Sequence, residues 1–83
     1  MYRIVIPECV VKELKKINPR DQRLILTKIE DLKAGEFQGD KALKGRHAGK
    51  FRKRAGNYRI VYFKESEILL ITLVRIAHRK EVY

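Results

Sequence analysis

An α+β fold, a helical hairpin packed on one face of a small antiparallel sheet in the order β-α-α-β-β-β, is predicted by two patterns. Near the N-terminus, Val10, Val11, Leu14 and Ile17, and then Leu24, Ile25, Ile29 and Leu32, recur at helical spacing. After Gly49, three stretches rich in β-branched and aromatic residues are separated by turn signals. At 83 residues the chain reads as one domain, 1–83, near the lower size for folding on a single core without staples.

Residues 2–6 form the first expected strand. Pro7 ends it and suits the first position of a helix. In the helix that follows, Lys12, Lys15 and Lys16 lie off the apolar stripe and read as a solvated face. Asn18-Pro19-Arg20-Asp21 is a stop and restart, with Asn18 as N-cap, Pro19 at the first helical position and Asp21 near the positive end of the helix dipole. Gly35 supplies the second stop. Residues 36–49 hold three of the five glycines and little periodicity, so they read as a surface loop.

Three strands follow, over 50–54, 58–63 and 68–77, as an antiparallel meander. The first two are joined by a tight turn at Ala55-Gly56-Asn57. The third is apolar on both faces and is expected to be the most buried. Tyr58, Tyr62 and Phe51 are expected to pack within the sheet. With the helices on one side, the other face of the sheet is left for function.

Twenty Lys and Arg against ten Asp and Glu give a formal charge of +10, on a chain whose 45% hydrophobic content is that of a folded domain. An anionic partner is implied, with association steered by the field and weakened by salt. Cys9 is the only cysteine, which excludes an internal disulfide and argues against a cysteine-based zinc site. His47 and His78 have no useful metal-ligand spacing, so no metal or other cofactor is expected. The short apolar start is not expected to act as a signal peptide, and no stretch is long enough to span a membrane.

The cations are concentrated. Lys50-Phe51-Arg52-Lys53-Arg54 runs through the turn into Tyr58-Arg59-Ile60-Val61-Tyr62, and no carboxylate lies between Lys41 and Lys64. Strand alternation sends Lys50, Arg52 and Arg54 to one face and Phe51 and Lys53 to the other. Whether Arg59 meets Arg52 depends on a register that the turn leaves open by about a residue. Like charges opposed on paired strands cost roughly 0.2–1 kcal/mol each, so their retention points to an absent anion such as a phosphodiester.

Leu43-Lys44-Gly45, the 50–54 run, Asn57-Tyr58-Arg59-Ile60-Val61-Tyr62 and the closing His78-Arg79-Lys80-Glu81-Val82-Tyr83, in that order, resemble the toxins of the RelE/ParE superfamily of toxin–antitoxin pairs. The resemblance covers the whole chain. It implies the RelE-like microbial RNase fold and a cytoplasmic, metal-independent endoribonuclease that cuts mRNA in the ribosomal A site by 2′-OH attack and so inhibits translation. It also implies a cognate RelB-like antitoxin that holds the toxin inactive, with the ribosome and mRNA as further partners.

Carried over by residue, the resemblance makes Lys50, Arg52, Arg59, Arg79 and Tyr83 catalytic. Arg59 and Arg79 would clamp the phosphate oxygens, and Arg52 would hold the phosphate or the leaving oxygen. Lys50 would remove the proton, because neighbouring cations favour a neutral amine. Tyr83 would stack on a base or transfer a proton. Lys44, Arg46, Lys53, Arg54, Arg75 and His78 would extend the RNA-binding surface. Arg75 has the alternative of pairing with an acidic side chain, His78 that of an extra acid–base group, and Lys41 reads as an rRNA contact or a bystander. Two other functions stay open: a ParE-like inhibitor of DNA gyrase, and a non-catalytic basic module that binds RNA or an antitoxin.

Overall fold

The computed structural model describes residues 1–81, with the side chains of all of these but His47 and Glu81. Its elements are β1 (Arg3–Val5), α1 (Glu8–Lys15), α2 (Pro19–Lys33), β2 (Lys41–Ala42), β3 (Lys50–Ala55), β4 (Tyr58–Glu65) and β5 (Leu70–His78), with short 3-10 turns at Gly45–His47, Ser66–Ile68 and Arg79–Glu81. The α+β class and the helical hairpin on one face are as expected.

Local chemistry accounts for the helix boundaries. Pro7 is the cap of α1 rather than its first helical residue, since its ψ of 155° is extended and the helix opens at Glu8. Asn18 caps α2 by accepting from the Asp21 backbone N–H at 3.0 Å, and its amide donates to the Asp21 carboxylate at 2.8 Å. At the other end Gly35 takes a φ of +82°. Gly35 N–H then donates to Leu32 O and Glu36 N–H to Asp31 O, the paired bonds of a Schellman motif.

The sheet order is β1-β5-β4-β3-β2. Strands β3, β4 and β5 form the expected meander, but β1 joins the edge parallel to β5, with Ile4 opposite Ile71. The sheet is therefore mixed rather than antiparallel throughout. Strand β2, two residues within the expected surface loop, adds the fifth strand by pairing Lys41 with Arg52 and Ala42 with Phe51.

The core lies between the sheet and the hairpin. Val10, Ile25, Ile29 and Leu32 from the helices, with Ile17 from the turn between them, meet Ala55, Ile60, Tyr62, Ile71, Leu73 and Ile76 from the sheet. Leu73 and Ile76 are three apart, so strict alternation would send one of them outward. The bulge between Val61 and Tyr62, which leaves Val74 without a partner on β4, brings both inside. Strand β5 does not run from Ile68, but from Leu70 on it holds four buried residues, Ile71, Leu73, Ile76 and Ala77, and no exposed one, as expected of the most buried strand. Ile68 and Leu69 are exposed, Leu69 has a φ of +52°, and the deepest run is Ile60-Val61-Tyr62 on β4, the middle strand.

Candidate functional site

The β3–β4 hairpin decides which cations meet. Its loop is Gly56-Asn57, with Gly56 at φ +62°, as the first central position of a type II′ turn requires. The resulting register sets Arg54 directly opposite Arg59 and Arg52 opposite Val61, so Arg59 meets Arg54 across the ladder and Arg52 only diagonally. On the far side of β3, Lys41 stands opposite Arg52. Two like-charge pairs are thus fixed by backbone pairing, the arrangement that costs stability unless an anion joins it.

Gly39, Lys41, Arg52, Arg54 and Arg59 line a cleft of about 170 Å³ on the face away from the helices. Arg59 is the most constrained of these. Its Nη1 donates to the carbonyls of Gly56 and Tyr58 at 3.2 and 3.0 Å, which leaves Nε and Nη2 in their fork geometry for an external acceptor. Burial, and after it the charges of Arg54, Arg52 and Arg79, lower the Arg59 guanidinium below its ordinary value. Arg59 remains protonated, in a field that an incoming anion would relieve. Among the described residues, no carboxylate lies within ion-pair distance of Lys41, Lys50, Arg52, Arg54, Arg59 or Arg79.

Beneath the cations, Val61 on β4 is fully buried although it belongs to the open face. Its cross-strand neighbours are Arg52 and Arg75, and Arg59 and Phe63 flank it along the strand. Long cationic side chains cover apolar surface with their stems while their heads stay in water. The cluster therefore roofs part of the sheet as well as carrying charge.

Arg79 reaches this region from the 3-10 turn after β5. Its backbone N–H donates to Asn57 O at 2.7 Å, which ties that turn to the hairpin loop. Lys50 lies at the far end of β3, opposite Phe63 and on the same face as Arg52, but does not line the cleft. Tyr83 lies outside the described residues. Lys44 and Arg46 are exposed beside the Gly45–His47 turn.

Three of the residues expected to bind RNA have partners within the chain, and of these Lys53 is buried. Lys53 is 6% exposed on the helical side, where its Nζ donates to Glu36 O at 2.9 Å and pairs with Asp40 at 3.2 Å. Burying a lone ammonium is prohibitive, and Asp40 supplies the missing counter-charge. His78 lies opposite Tyr58, edge-on to its ring at 5.4 Å, and its Nδ1 accepts from the Lys80 N–H at 3.3 Å. Arg75 takes its alternative, an ion pair with Glu13 at 3.6 Å, while the other Glu13 oxygen accepts from the Ile76 backbone N–H at 2.9 Å.

Sequence reasoning missed Asp40 as the partner of Lys53. Asp40 also accepts a hydrogen bond from the Tyr62 hydroxyl, and burial, that bond and the carboxylate charge together push the Tyr62 phenol well above its ordinary value. The available signal was that β3 alternation sends Lys53 inward, where a cation requires a carboxylate.

Among the described residues no group of acidic, cysteine or histidine side chains is arranged to hold a metal, and no helix is long and apolar enough to cross a membrane. The arrangement presents several fixed guanidinium and ammonium donors to an anion.

Residues 4–83 match the family described as the ParE toxin of type II toxin–antitoxin systems, parDE. No curated protein matches by sequence. Among solved structures, the chain resembles one from the RelBE2 toxin–antitoxin complex of Mycobacterium tuberculosis at 26% identity and a TM-score of 0.84, covering 94% of this chain and 98% of that one. A chain of the RelB-RelE antitoxin–toxin complex from Methanococcus jannaschii is 28% identical, with a TM-score of 0.73 and coverage of 95% and 94%. One from the archaeal RelE-RelB complex of Pyrococcus horikoshii OT3 shares the fold at 24% identity, a TM-score of 0.82 and 98% coverage of both. With the family match spanning nearly its whole length, the chain belongs to the ParE toxin family of type II toxin–antitoxin systems, within the RelE/ParE superfamily.

Proposed function

We propose that residues 1–83 form one toxin domain that cleaves mRNA in the ribosomal A site and is held inactive in the cytoplasm by a RelB-like antitoxin. The observation that carries this reading is the cleft of Arg52, Arg54 and Arg59, with Lys41 beside it and no carboxylate in reach among the described residues. The likeness to chains from RelB–RelE complexes supports the antitoxin as partner.

In the reaction the 2′-oxygen forms a bond to the adjacent phosphorus as the bond from phosphorus to the 5′-oxygen breaks. Lys50, in its neutral amine form, takes the 2′-hydroxyl proton, and the Tyr83 hydroxyl or a solvent water gives a proton to the departing 5′-oxygen, leaving a 2′,3′-cyclic phosphate and a 5′-hydroxyl. Arg59 and Arg79 hold the non-bridging oxygens, where charge grows towards the transition state, so they stabilise that state more than the ground state. Arg52 holds the phosphate or the leaving oxygen. Tyr83 stacks on a base or passes a proton. Lys44, Arg46 and Arg54 contact the nucleic-acid backbone.

Lys, Arg and Tyr have ordinary pKa values well above neutrality, so positioning must supply much of the rate. The free toxin is therefore expected to be a slow nuclease on naked RNA. Primer extension on a defined mRNA in a purified translation system, with naked mRNA as control, tests this. Cuts confined to ribosome-bound codons are the expected result.

The family match favours a second reading, a ParE-like toxin that inhibits DNA gyrase. Growth arrest by a folded protein that produces no cut, together with inhibition of gyrase supercoiling, would replace the nuclease by this reading.

A further inference from the structure

Lys41 and Asp40 are sequence neighbours that the chain sends to opposite sides of the sheet. Asp40, with a side chain 4% exposed, is held from within by the Lys53 ammonium at 3.2 Å and the Tyr62 hydroxyl, and its own N–H donates to Phe37 O at 3.1 Å. Lys53 also holds Glu36 O, so the segment from Glu36 to Asp40 is fixed to the core at both ends. One residue later, Lys41 is exposed, paired in register with Arg52 and lining the cleft with Arg52, Arg54 and Arg59. Past β2, the Leu43 N–H donates to Lys50 O at 2.9 Å and closes the segment against β3.

A strand of two exposed residues, one of them a lysine opposed to an arginine, has little reason of its own to stay against β3. The buried carboxylate next to it supplies the restraint. It fixes a fourth cation at the wall of a cleft that already holds three.

We propose that Lys41 is a further phosphate-contacting residue of this site and that Asp40 is the positioning residue that holds it there. The inference rests on the nucleic-acid reading above and adds to it a specific contact. A lysine contributes a mobile point charge where the arginines contribute fixed forks. Lys41 therefore tracks the backbone of a single strand as it passes the cleft, whichever base it carries.

The test is binding of a labelled single-stranded RNA oligonucleotide to the intact chain across a salt series. Each phosphate contact to a single strand contributes about 0.7 to the slope of log K against log salt. Lys41→Ala is expected to lower the slope by about that amount. Lys41→Arg should restore it, and Lys15→Ala, on the exposed side of α1, should leave it unchanged. Asp40→Asn should lower the slope as Lys41→Ala does, and the double variant should lose no more than either alone. Where Asp40→Asn does not melt cooperatively, Tyr62→Phe, which removes one of its two side-chain partners, takes its place.

An unchanged slope in Lys41→Ala, alongside a lowered one in Arg59→Ala, would overturn this inference and leave the phosphate site standing. Additive losses in the double variant would remove the positioning role of Asp40. Salt-independent binding by the unmodified chain, or no response to Arg59→Ala, would remove the phosphate site and this inference with it.

Discussion

Arg52, Lys53 and Arg54 are consecutive on β3, carry the same charge, and end in opposite circumstances. Lys53 points to the helical side, is buried, and has a carboxylate and a carbonyl as partners. Arg52 and Arg54 point to the open side, stand opposite Lys41 and Arg59, and have no acidic partner among the described residues. Composition treats the three alike; the pleat separates them. A cation that is fully compensated belongs to the scaffold, and the set of cations held together without compensation is what supports the phosphate site proposed above.

The sharpest way to break the comparison is to remove the buried partner. Lys53→Met leaves Asp40 charged and buried, and is expected to destabilise the fold by about 3–5 kcal/mol, read from urea or guanidinium melts. Arg59→Ala should lower those melts far less than Lys53→Met does and reduce ribosome-dependent cleavage by about 100-fold or more, since it removes a fixed donor to the developing charge. If the two variants exchanged phenotypes, the division between scaffold and site would be wrong.

Alkaline pH probes the buried network from another side. The Tyr62 phenol is raised in the folded state, so its contribution to stability is complete below its ordinary pKa near 10 and declines as pH rises from there towards the folded value. Melts between pH 9 and 11 should show a fall approaching about 1.4 kcal/mol per pH unit at the alkaline end. Tyr62→Phe should flatten that part of the curve.

Smaller effects come from the hairpin. A Cβ at Gly56 would sit 2.8 Å from Leu24 Cδ2, on a backbone at φ +62°, so Gly56→Ala should cost about 1–2 kcal/mol and disturb the Arg54–Arg59 register. Arg54→Thr removes one member of a like-charge pair and is expected to stabilise the free chain by roughly 0.2–1 kcal/mol, most clearly at low salt, while weakening RNA binding. Stability and binding moving in opposite directions is the signature that distinguishes a ligand site from a solvated surface.

Much of this was legible in the chain. The Asn18 cap, the Gly35 stop, the tight turn at Gly56 and the inward packing of Tyr58, Tyr62 and Phe51 each follow from local chemistry, and the structure has them. What escaped is non-local. Strand β2 is too short to show a period, and the parallel docking of β1 is a choice of partner across almost the whole chain. The bulge at Val74 lets Leu73 and Ile76 share a face, which a strict period of two forbids.

For the candidate site, the run of cations marked the hairpin and its register followed from the local turn, but the pairing of Lys53 with Asp40 depended on a contact that no spacing rule supplies. Arg75 illustrates the same limit. Its carboxylate partner, Glu13, is on a helix more than sixty residues earlier.

The placement of β1 has a consequence for how the protein is made. Its neighbour in the sheet is β5, and the two pair in register from Arg3–Leu70 to Val5–Thr72. On the ribosome the first strand must wait, unpaired, while almost all of the remaining chain is synthesised, at about 5–20 residues per second. The β3–β4 hairpin, being local, forms without that delay, but the sheet that displays its arginines closes only when β5 has emerged. Contacts of such long sequence separation are also the slow ones to form. The sheet that supports the cationic cleft is therefore complete only once β5, nearly the whole chain away from β1, has docked between β1 and β4.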